Sequence, residues 1–396
     1  MFELLTGRGI ANFRSSDAFF YLFKSYTILG SNPPKDTGPL YYIWSILLNG
    51  SIIFILPIVC VVGSIIQYAR HDIGTMRFLN GIQAGLNVLG MPPKIIIMAL
   101  SLNRLRSIEP TLAAMDARYK KPEDVALIRR SALMGNRMIS AVFIAYMCYM
   151  LFSLMPNVIK GGVPFGFWIP FLDWNRSRID FLAQSVVDVF FFFFSLYYQA
   201  LNDTYGAVYI YVIRAHLQLL RRRVQQLGTD AEMSSEDKME ELVDCIVTHQ
   251  QILELVAVVE PVISKTIFTQ FLIFASILCV TMINIFIFAD LSTQISATVY
   301  LLCVLLQTSP CCYYATQLMT ESEKLPDDIF HCNWVDQDRC FRKAIIYFMH
   351  HSQRSIEIKA MKLFTINMAT NVSIAKFSFT LYAFIKQMGI GQNAND

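Results

Sequence analysis

Polar side chains recur at intervals of seven in the last apolar stretch of the sequence, TNVSIAKFSFTLYAFIKQM. On a helix this spacing places hydroxyls, phenylalanines and an amide in one strip about 80° wide. Polar groups inside a membrane are tolerated only where lipid does not reach. The strip therefore predicts either an ion pathway formed with other copies or a packing seam held by hydrogen bonds. Its members are Ser373, Phe377, Thr380, Phe384 and Gln387, with Met388 beside them.

Lys376 lies at the edge of this strip, in the middle of the apolar stretch. A lysine facing a pathway for cations would repel them, so we expect it to pair with an acidic group. The opposite side of the helix is expected to pack on the rest of the protein, through Phe364, Asn371, Ala375 and Tyr382.

A second polar strip follows an earlier apolar stretch, at Gln184, Ser185, Asp188, Ser195, Gln199 and Asn202. These spacings of three, four and seven put the strip on one side of a helix, which must face protein or water. Asp188 is the notable member, because a carboxylate at the centre of a span costs roughly 2.5 to 3.5 kcal/mol. Two interpretations stay open, a structural hydrogen bond to a neighbouring helix and the polar contact of a ligand cavity.

Aromatic walls with a few polar groups suit a small, mostly apolar ligand. The residues that would form such a cavity, in the outer half of the protein, are Phe78, Gln83, Asn87, Tyr146, Tyr149, Phe152, Gln184, Asp188, Phe191 and Phe192. A helix interface uses the same residue types, so packing is the alternative for each.

The sequence carries no motif for catalysis. It has no HExxH, no glycine-rich phosphate loop and no nucleophile elbow. The spacings of Cys332, Cys340, His350 and His351 match none of the usual close zinc-ligand pairs. We therefore expect neither an enzyme nor a cofactor or metal site. The net charge of +3 gives no reason to expect nucleic acid as a partner.

The elements that must position these residues are membrane helices. A chain of 396 residues with 55% apolar residues is too apolar for an ordinary soluble domain. Runs of about 20 apolar residues span a bilayer. The sequence predicts an all-α membrane protein with seven such spans, at 41–68, 74–101, 137–156, 179–212, 264–289, 294–319 and 360–388.

The basic residues predict the orientation. Of 33 lysines and arginines, 24 fall in segments on the amino-terminal side and 6 on the other side, while Lys94, Lys265 and Lys376 lie within or at the edge of spans. The positive-inside rule then places the amino terminus in the cytoplasm and the carboxyl terminus outside. No cysteine falls in an external segment, so no disulfide is expected.

The chain divides accordingly into five parts. Residues 1–40 form a cytoplasmic segment whose DAFFYLFKSYTILG predicts a helix on the membrane surface. Residues 41–319 hold spans one to six, with a helical cytoplasmic extension over 213–263 in which Ser234 or Ser235 caps a new helix. A cytoplasmic anchor helix at 320–359, the last span at 360–388 and an external tail at 389–396 follow.

Three segments near the carboxyl end, LPDDIFHCNW, FRKAIIYFMHHSQRSIEIKA and NVSIAKFSFTLYAFIKQ, resemble the insect odorant receptors, most closely over 322–388. In the related gustatory receptors and the odorant co-receptor, the last span carries Thr-Tyr, five residues, then Gln. Thr380 and Gln387 keep that spacing, but Leu381 replaces the Tyr, and Met388 stands where gustatory receptors have Phe. The chain also lacks the long cytoplasmic insertion of the co-receptor, so it resembles a tuning subunit.

The resemblance implies a non-selective cation channel gated by a small volatile odorant, in the plasma membrane of a sensory neuron dendrite. It implies a heterotetramer with co-receptor subunits, in contact with membrane lipid and permeating cations. Phe384 and Met388 would then be gate residues, and Gln387 would contact ions. The odorant would lie between the second, third, fourth and sixth spans.

Two alternatives are a gustatory receptor channel and a seven-span receptor coupled to G proteins, which requires an external amino terminus. A transporter would require two similar halves, and no internal repeat is seen.

Overall fold

A computed structural model of the chain describes residues 5, 13–34, 36–70, 74–169, 172–230, 232–283 and 291–387. Within these ranges the side chains of 75–77, 156, 283, 291–302, 378, 379, 381, 382, 385 and 386 are not described. The described chain is almost entirely helical, with one two-stranded antiparallel hairpin near the carboxyl end.

The first half begins with a 3₁₀ turn, Ser15–Phe19, that leads into α1, Phe20–Ile28. The first predicted span is α2, Pro39–Gly50, joined through a π-helical turn at Ser51–Ile55 to α3, Leu56–Ala69. The second comprises α4, Thr75–Leu89, then α5, Met91–Arg106, and continues into α6, Glu109–Asp116. The third lies in α7, Pro122–Ile159.

The second half contains the longest helices. The fourth and fifth predicted spans are α8, Arg178–Gln226, and α9, Ser235–Ile283. The sixth is α10, Leu291–Glu323. Two shorter helices follow, α11, Leu325–Phe330, and α12, Arg339–Ser352. The hairpin of β1, Lys359–Ala360, and β2, Phe364–Thr365, then leads into α13, Met368–Gln387.

Helices thus lie at all seven predicted spans, which confirms an all-α membrane protein. Five stretches of the described chain are long and apolar enough by themselves to cross a membrane. They are Pro39–Ala69, Phe78–Asp116, Pro122–Ile159, Arg178–Gln226 and Ser235–Met282. The last helix begins at Met368 and not at 360 as expected, because the backbone turns at Met361 and Lys362, whose φ angles are 47° and 61°.

The predicted helical extension is also present. Each of α8 and α9 is 49 residues long, well beyond the roughly 20 residues that a span requires. The hydroxyl of Ser234 accepts a hydrogen bond of 3.1 Å from the Asp237 amide, so it caps α9 as expected. Arg221 on α8 pairs with both Glu321 and Asp328, which fixes α10 and α11 against this extension.

The helical part of the amino-terminal segment packs on the protein core through one side. Phe19, Leu22 and Tyr26 are at most 1% exposed. The Phe19 ring stacks on Tyr209 of α8 with centroids 4.1 Å apart. Only the other side of the segment, with Phe20 and Ile28, is exposed. The segment packs on α7 and α8 with one side and leaves the other side exposed, so its place at the membrane surface stays a prediction.

Candidate functional site

Asp188 binds the loop that connects α7 to α8. Its Oδ2 atom accepts hydrogen bonds from the backbone amides of Phe165 and Gly166, at 3.0 and 2.8 Å. Its Oδ1 atom accepts a third, of 2.8 Å, from Gln184, which also donates to the carbonyl oxygen of Phe167. The side chain is fully buried. A carboxylate with three donors is tolerated in a span, and the contacts favour the structural interpretation of Asp188, as the residue that fixes this loop.

The same loop closes an aromatic cluster over the ends of α7 and α8. The rings of Phe165 and Phe192 lie 3.9 Å apart between centroids, and Phe167 stacks on Phe165 at 5.7 Å. Tyr149 of α7 faces Phe192 at 6.1 Å. Trp168 packs so closely on Gly63 of α3 that a Cβ atom there would lie 2.8 Å from it. The loop therefore acts as a cover on which three helices converge.

A buried charged group lies deeper in the bundle. The carboxylate of Asp203 on α8 lies 3.6 Å from the ammonium nitrogen of Lys94 on α5. Tyr146 of α7 donates to Asp203 Oδ2 at 2.5 Å, and Gln199 donates to the same carboxylate. Lys94 also donates to Gln270 of α9.

This group reaches a further helix, because Gln270 donates to Gln307 of α10 at 3.2 Å. Charged groups are expensive within a span unless they are paired and hydrogen-bonded. The pair between Lys94 and Asp203 meets that condition. With its hydrogen-bond partners, it connects five consecutive spans, from the second through the sixth, by side-chain contacts.

The second span makes a further contact with α9, this time from α4. The amide of Gln83, which is buried, donates to the Thr281 hydroxyl. Gly90, between α4 and α5, faces Ile273 so closely that a Cβ atom would lie 2.3 Å from its Cδ1 atom. The second span thus contacts α9 on both sides of its break at Gly90.

The structure brings together some of the predicted ligand residues and separates others. Gln184 and Asp188 are hydrogen-bonded, and Tyr149 contacts Phe192. Phe191 is buried in the core, at 7% exposure. Phe78 stacks on a different residue, Tyr68 of α3, and Asn87 is half-buried. Phe152 and Tyr149 are 76% and 45% exposed in the single chain.

The last helix has two distinct sides. Asn371 is buried, where it accepts a 2.8 Å hydrogen bond from Thr308 and donates to Ser309 of α10. Ala375 is half-buried on the same side. Phe364, expected on this side too, belongs instead to β2 and packs on Phe271 of α9. The side chain of Tyr382 lies outside the described residues.

The predicted strip lies on the other side of α13. All of its described members are exposed in the single chain, namely Ser373, Phe377, Thr380, Phe384 and Gln387. Met388 lies outside the described residues. Lys376 is exposed, and it forms no ion pair within the described part of the chain, so the expected acidic partner is not found there.

The anchor region beyond the spans is closely packed. Ile329, Phe341 and Phe348 are buried there. Burial also raises the pKa of the Cys332 thiol to about 11. Nearer the last span, hydrogen bonding to Lys359 lowers the pKa of Glu357. No three His, Cys, Asp or Glu side chains among the described residues are grouped as metal ligands.

Sequence reasoning missed Lys94 and Asp203 as partners and missed the role of the loop residues. Asp203 directly follows Asn202 of the polar strip, and Lys94 was one of three basic residues inside spans, so a charge of each sign was visible. Lys94 and Asp203 can be identified as partners only when the positions of the five helices around them are known. The run VPFGFW was a usable signal, since aromatic residues in a short connection indicate packing on a neighbouring element.

Comparisons with known proteins agree with this architecture. The profile of the 7tm Odorant receptor family matches residues 75–379. The chain is 33% identical to Odorant receptor 42a of Drosophila melanogaster over 96% of its length and 93% of that protein. It is 32% identical to Odorant receptor 42b of the same species, over 95% and 94%.

Solved structures share the fold. The insect olfactory receptor OR5 of Machilis hrabei superposes with a TM-score of 0.75 over 93% of this chain and 97% of that one, at 16% identity. The complex of that receptor with eugenol gives a TM-score of 0.74. Together with the family match over most of the sequence, these findings show that the chain belongs to the insect odorant receptor family, as a tuning receptor and not the co-receptor.

Proposed function

We propose that this odorant receptor assembles with co-receptor subunits into a heterotetramer whose cation pathway is lined in part by α13. The observation that carries the proposal is the division of α13 into a buried back and an exposed polar and aromatic strip. Asn371 fixes the back to α10, while Ser373, Thr380 and Gln387 are exposed in the described part of the chain. Polar groups on a membrane helix need protein or water around them, and an axial pathway supplies both.

Within that pathway, Phe384 and Met388 would form the gate near the outer end, and Gln387 would contact permeating ions. Phe377 and Thr380 would continue the lining inward. Phe384 is 56% exposed in the single chain, so it is free to meet its counterparts around an axis. Apolar constrictions gate by excluding water.

The odorant would lie in the outer half of the bundle, beneath the loop that Asp188 fixes. Tyr149 and Phe192 offer ring faces there, and Gln184 offers its Oε1 atom, which is buried without a hydrogen-bond partner among the described residues. One unpaired polar atom among aromatic rings suits a small ligand with one polar group. The Machilis hrabei receptor was solved in complex with eugenol, a small aromatic molecule.

Binding would be transmitted to α13 through α9. The Gln83 contact with Thr281 joins α4 to α9, and Phe271 of α9 packs on Phe364 at the base of α13. An odorant that fits the bundle better when α9 and the last helix are displaced would favour the open state. Without such a difference in affinity between the two states, binding could not open the channel.

The orientation proposed is a cytoplasmic amino terminus and an external carboxyl terminus, in the plasma membrane of a sensory neuron dendrite. It rests on the distribution of lysines and arginines. The anchor formed by α11, α12 and the extensions of α8 and α9 would then lie in the cytoplasm, where subunits meet.

Co-expression with a co-receptor, followed by current recording against an odorant panel, tests the proposal. We expect odorant-evoked cation currents that are absent when the co-receptor is expressed alone. Responses that require a G protein, or an amino-terminal epitope that can be labelled on intact cells, would contradict it.

A further inference from the structure

The hairpin that precedes the last helix presents an exposed tip of unusual composition. Met361 and Leu363 are 48% and 71% exposed, and Lys362 between them is exposed as well. Met361 and Lys362 are the non-glycine residues with positive φ in the described chain. A left-handed backbone at two such residues costs free energy, and such strain persists where the surrounding structure maintains it. The tip is fixed to α9 by a 2.7 Å hydrogen bond from the Met361 amide to Ser264.

A groove of about 450 Å³ begins beside this tip and runs between α9 and α13. We call it the inner groove. It is mostly apolar, and Phe364 of the hairpin stands at its base against Phe268 and Phe271. The residues that line it are Phe268, Phe271, Leu272, Ala275, Phe364, Thr370, Ser373, Ile374 and Phe377.

Two lysines flank the mouth of the inner groove. Lys265 precedes Phe268, Leu272 and Ala275 by three, seven and ten residues, so it lies on the same face of α9 as these lining residues. Lys362 follows Met361, which is bonded to Ser264, the residue next to Lys265. Both lysines are exposed. The tip and the end of α9 thus place two ammonium groups below an apolar channel that runs roughly 10 Å along the helix.

Of the two acidic groups nearby, one is paired with the ammonium group of a third lysine. Glu357 pairs with the Lys359 ammonium at 3.0 Å, and Glu260 accepts the Lys359 amide at 3.1 Å. Lys265 and Lys362 form no ion pair within the described ranges. Glu260 accepts only a backbone N–H and keeps its negative charge, so Lys265 and Lys362 against this one carboxylate leave the mouth of the groove with a net positive charge.

We propose that the inner groove binds one anionic phospholipid, with an acyl chain between α9 and α13 and the headgroup on Lys265 and Lys362. Lysines at the edge of a span reach the headgroup level, and negatively charged lipids of the cytoplasmic leaflet attract them. Met361 and Leu363 enter the same interface and keep the tip at that depth. Such a lipid contacts the base of the last helix directly, through Thr370 and Ile374.

The test uses the full-length chain in nanodiscs of phosphatidylcholine with and without phosphatidylserine. Native mass spectrometry after release into mild detergent counts the phosphatidylserine retained on each chain. We expect the double variant K265Q/K362Q to retain roughly thirtyfold less than the unchanged chain, because each lysine contributes on the order of 1 kcal/mol. The matched control K324Q/K343Q removes two exposed cytoplasmic lysines elsewhere and should retain as much as the unchanged chain.

A second variant tests the acyl chain. Ala275→Phe fills the groove and keeps both lysines, so it should also lose the lipid. Should this variant fail to fold, Leu272→Trp replaces it, since Leu272 is 62% exposed. Soluble glycerophosphoserine, which has the headgroup without acyl chains, should not displace the lipid.

Equal retention in K265Q/K362Q and in its control would overturn the proposal, as would full retention after the groove is filled. Displacement by glycerophosphoserine would show a headgroup site without a seated chain, against the proposal. The readout is lipid retention and not current, so failure here is distinguishable from failure of the proposed channel function.

Discussion

The ammonium nitrogen of Lys94 lies 3.6 Å from Oδ1 of Asp203, and the two side chains are only 4% and 6% exposed. A pair of opposite charges with so little access to water stabilises the fold only through close geometry and additional hydrogen bonds. Tyr146, Gln199 and Gln270 supply those bonds, from three further points on the bundle.

We predict that Lys94→Met destabilises the receptor by on the order of 3 kcal/mol, because it leaves the Asp203 carboxylate buried without its cation. The double variant Lys94→Met with Asp203→Asn should recover part of this loss. Thermal unfolding of the purified receptor in detergent measures both. Lys160→Met is the matched control, since Lys160 is exposed. Equal unfolding temperatures for Lys94→Met and Lys160→Met would contradict the role of the pair.

Asp188→Asn should weaken the attachment of the outer loop. The substitution removes the negative charge that receives the Phe165 and Gly166 amides, and a hydrogen bond to a charged group contributes about 1.5 to 3 kcal/mol. We expect the odorant concentration for half-maximal current to change roughly tenfold, with unchanged ion selectivity. Asp173→Asn, at an exposed carboxylate near the end of the same loop, serves as the control. An identical dose response in both variants would return Asp188 to a role in packing alone.

Phe384→Ala and Gln387→Ala should change basal current or ion selectivity without changing which odorants activate. Both side chains are exposed on the strip of α13, and neither is among the proposed odorant contacts. Current recordings with different external cations, in cells that also express the co-receptor, measure the effect. Val372→Ala is an exposed control on α13 that lies off the strip. Unaltered permeation in both strip variants would argue that this helix does not line the pathway.

Cysteine labelling tests the orientation of the anchor. Cys340 is exposed, whereas Cys332 is 6% exposed and its pKa is raised to about 11, so little reactive thiolate forms at neutral pH. In a background where Cys148 and Cys303 are replaced by alanine, a membrane-impermeant maleimide should label Cys340 only after permeabilisation. Cys332 should react only after unfolding.

The additional replacement Cys340→Ser should abolish the signal from folded protein. Labelling of Cys340 on intact cells would place the anchor outside the cell, against the proposed orientation.

The sequence predicted the spans well because their signal is local. Apolar runs of sufficient length must be helical in lipid, and the Ser234 cap depends only on residues three positions apart. The two-sided character of α13 was also readable, since the period of the helix alone separates Asn371 from Ser373. Its start at Met368 was missed, because the apolar run continues through a hairpin whose turn depends on the φ angles at Met361 and Lys362.

The site was less predictable because it depends on contacts distant in sequence. Asp188 was identified as a buried carboxylate, but its partners are backbone amides of a loop, and backbone groups leave no pattern in a sequence. The partner of Asp203 lies on a different span. Tyr149 contacts Phe192 whereas Phe152 is 76% exposed, and the sequence pattern is the same for the two.

The buried amino-terminal segment has a consequence for how the chain is made. Phe19 stacks on Tyr209, and the Ser15 hydroxyl donates to Asp116 and contacts His216 at 3.0 Å. The part of the receptor that leaves the ribosome first therefore cannot reach its final position until four spans have been synthesised and inserted. During translation this apolar segment stays unpacked until the residues that it contacts have been synthesised, as regions with long-range contacts generally do. Biogenesis is thus expected to be sensitive to changes at this end, well before any odorant is bound.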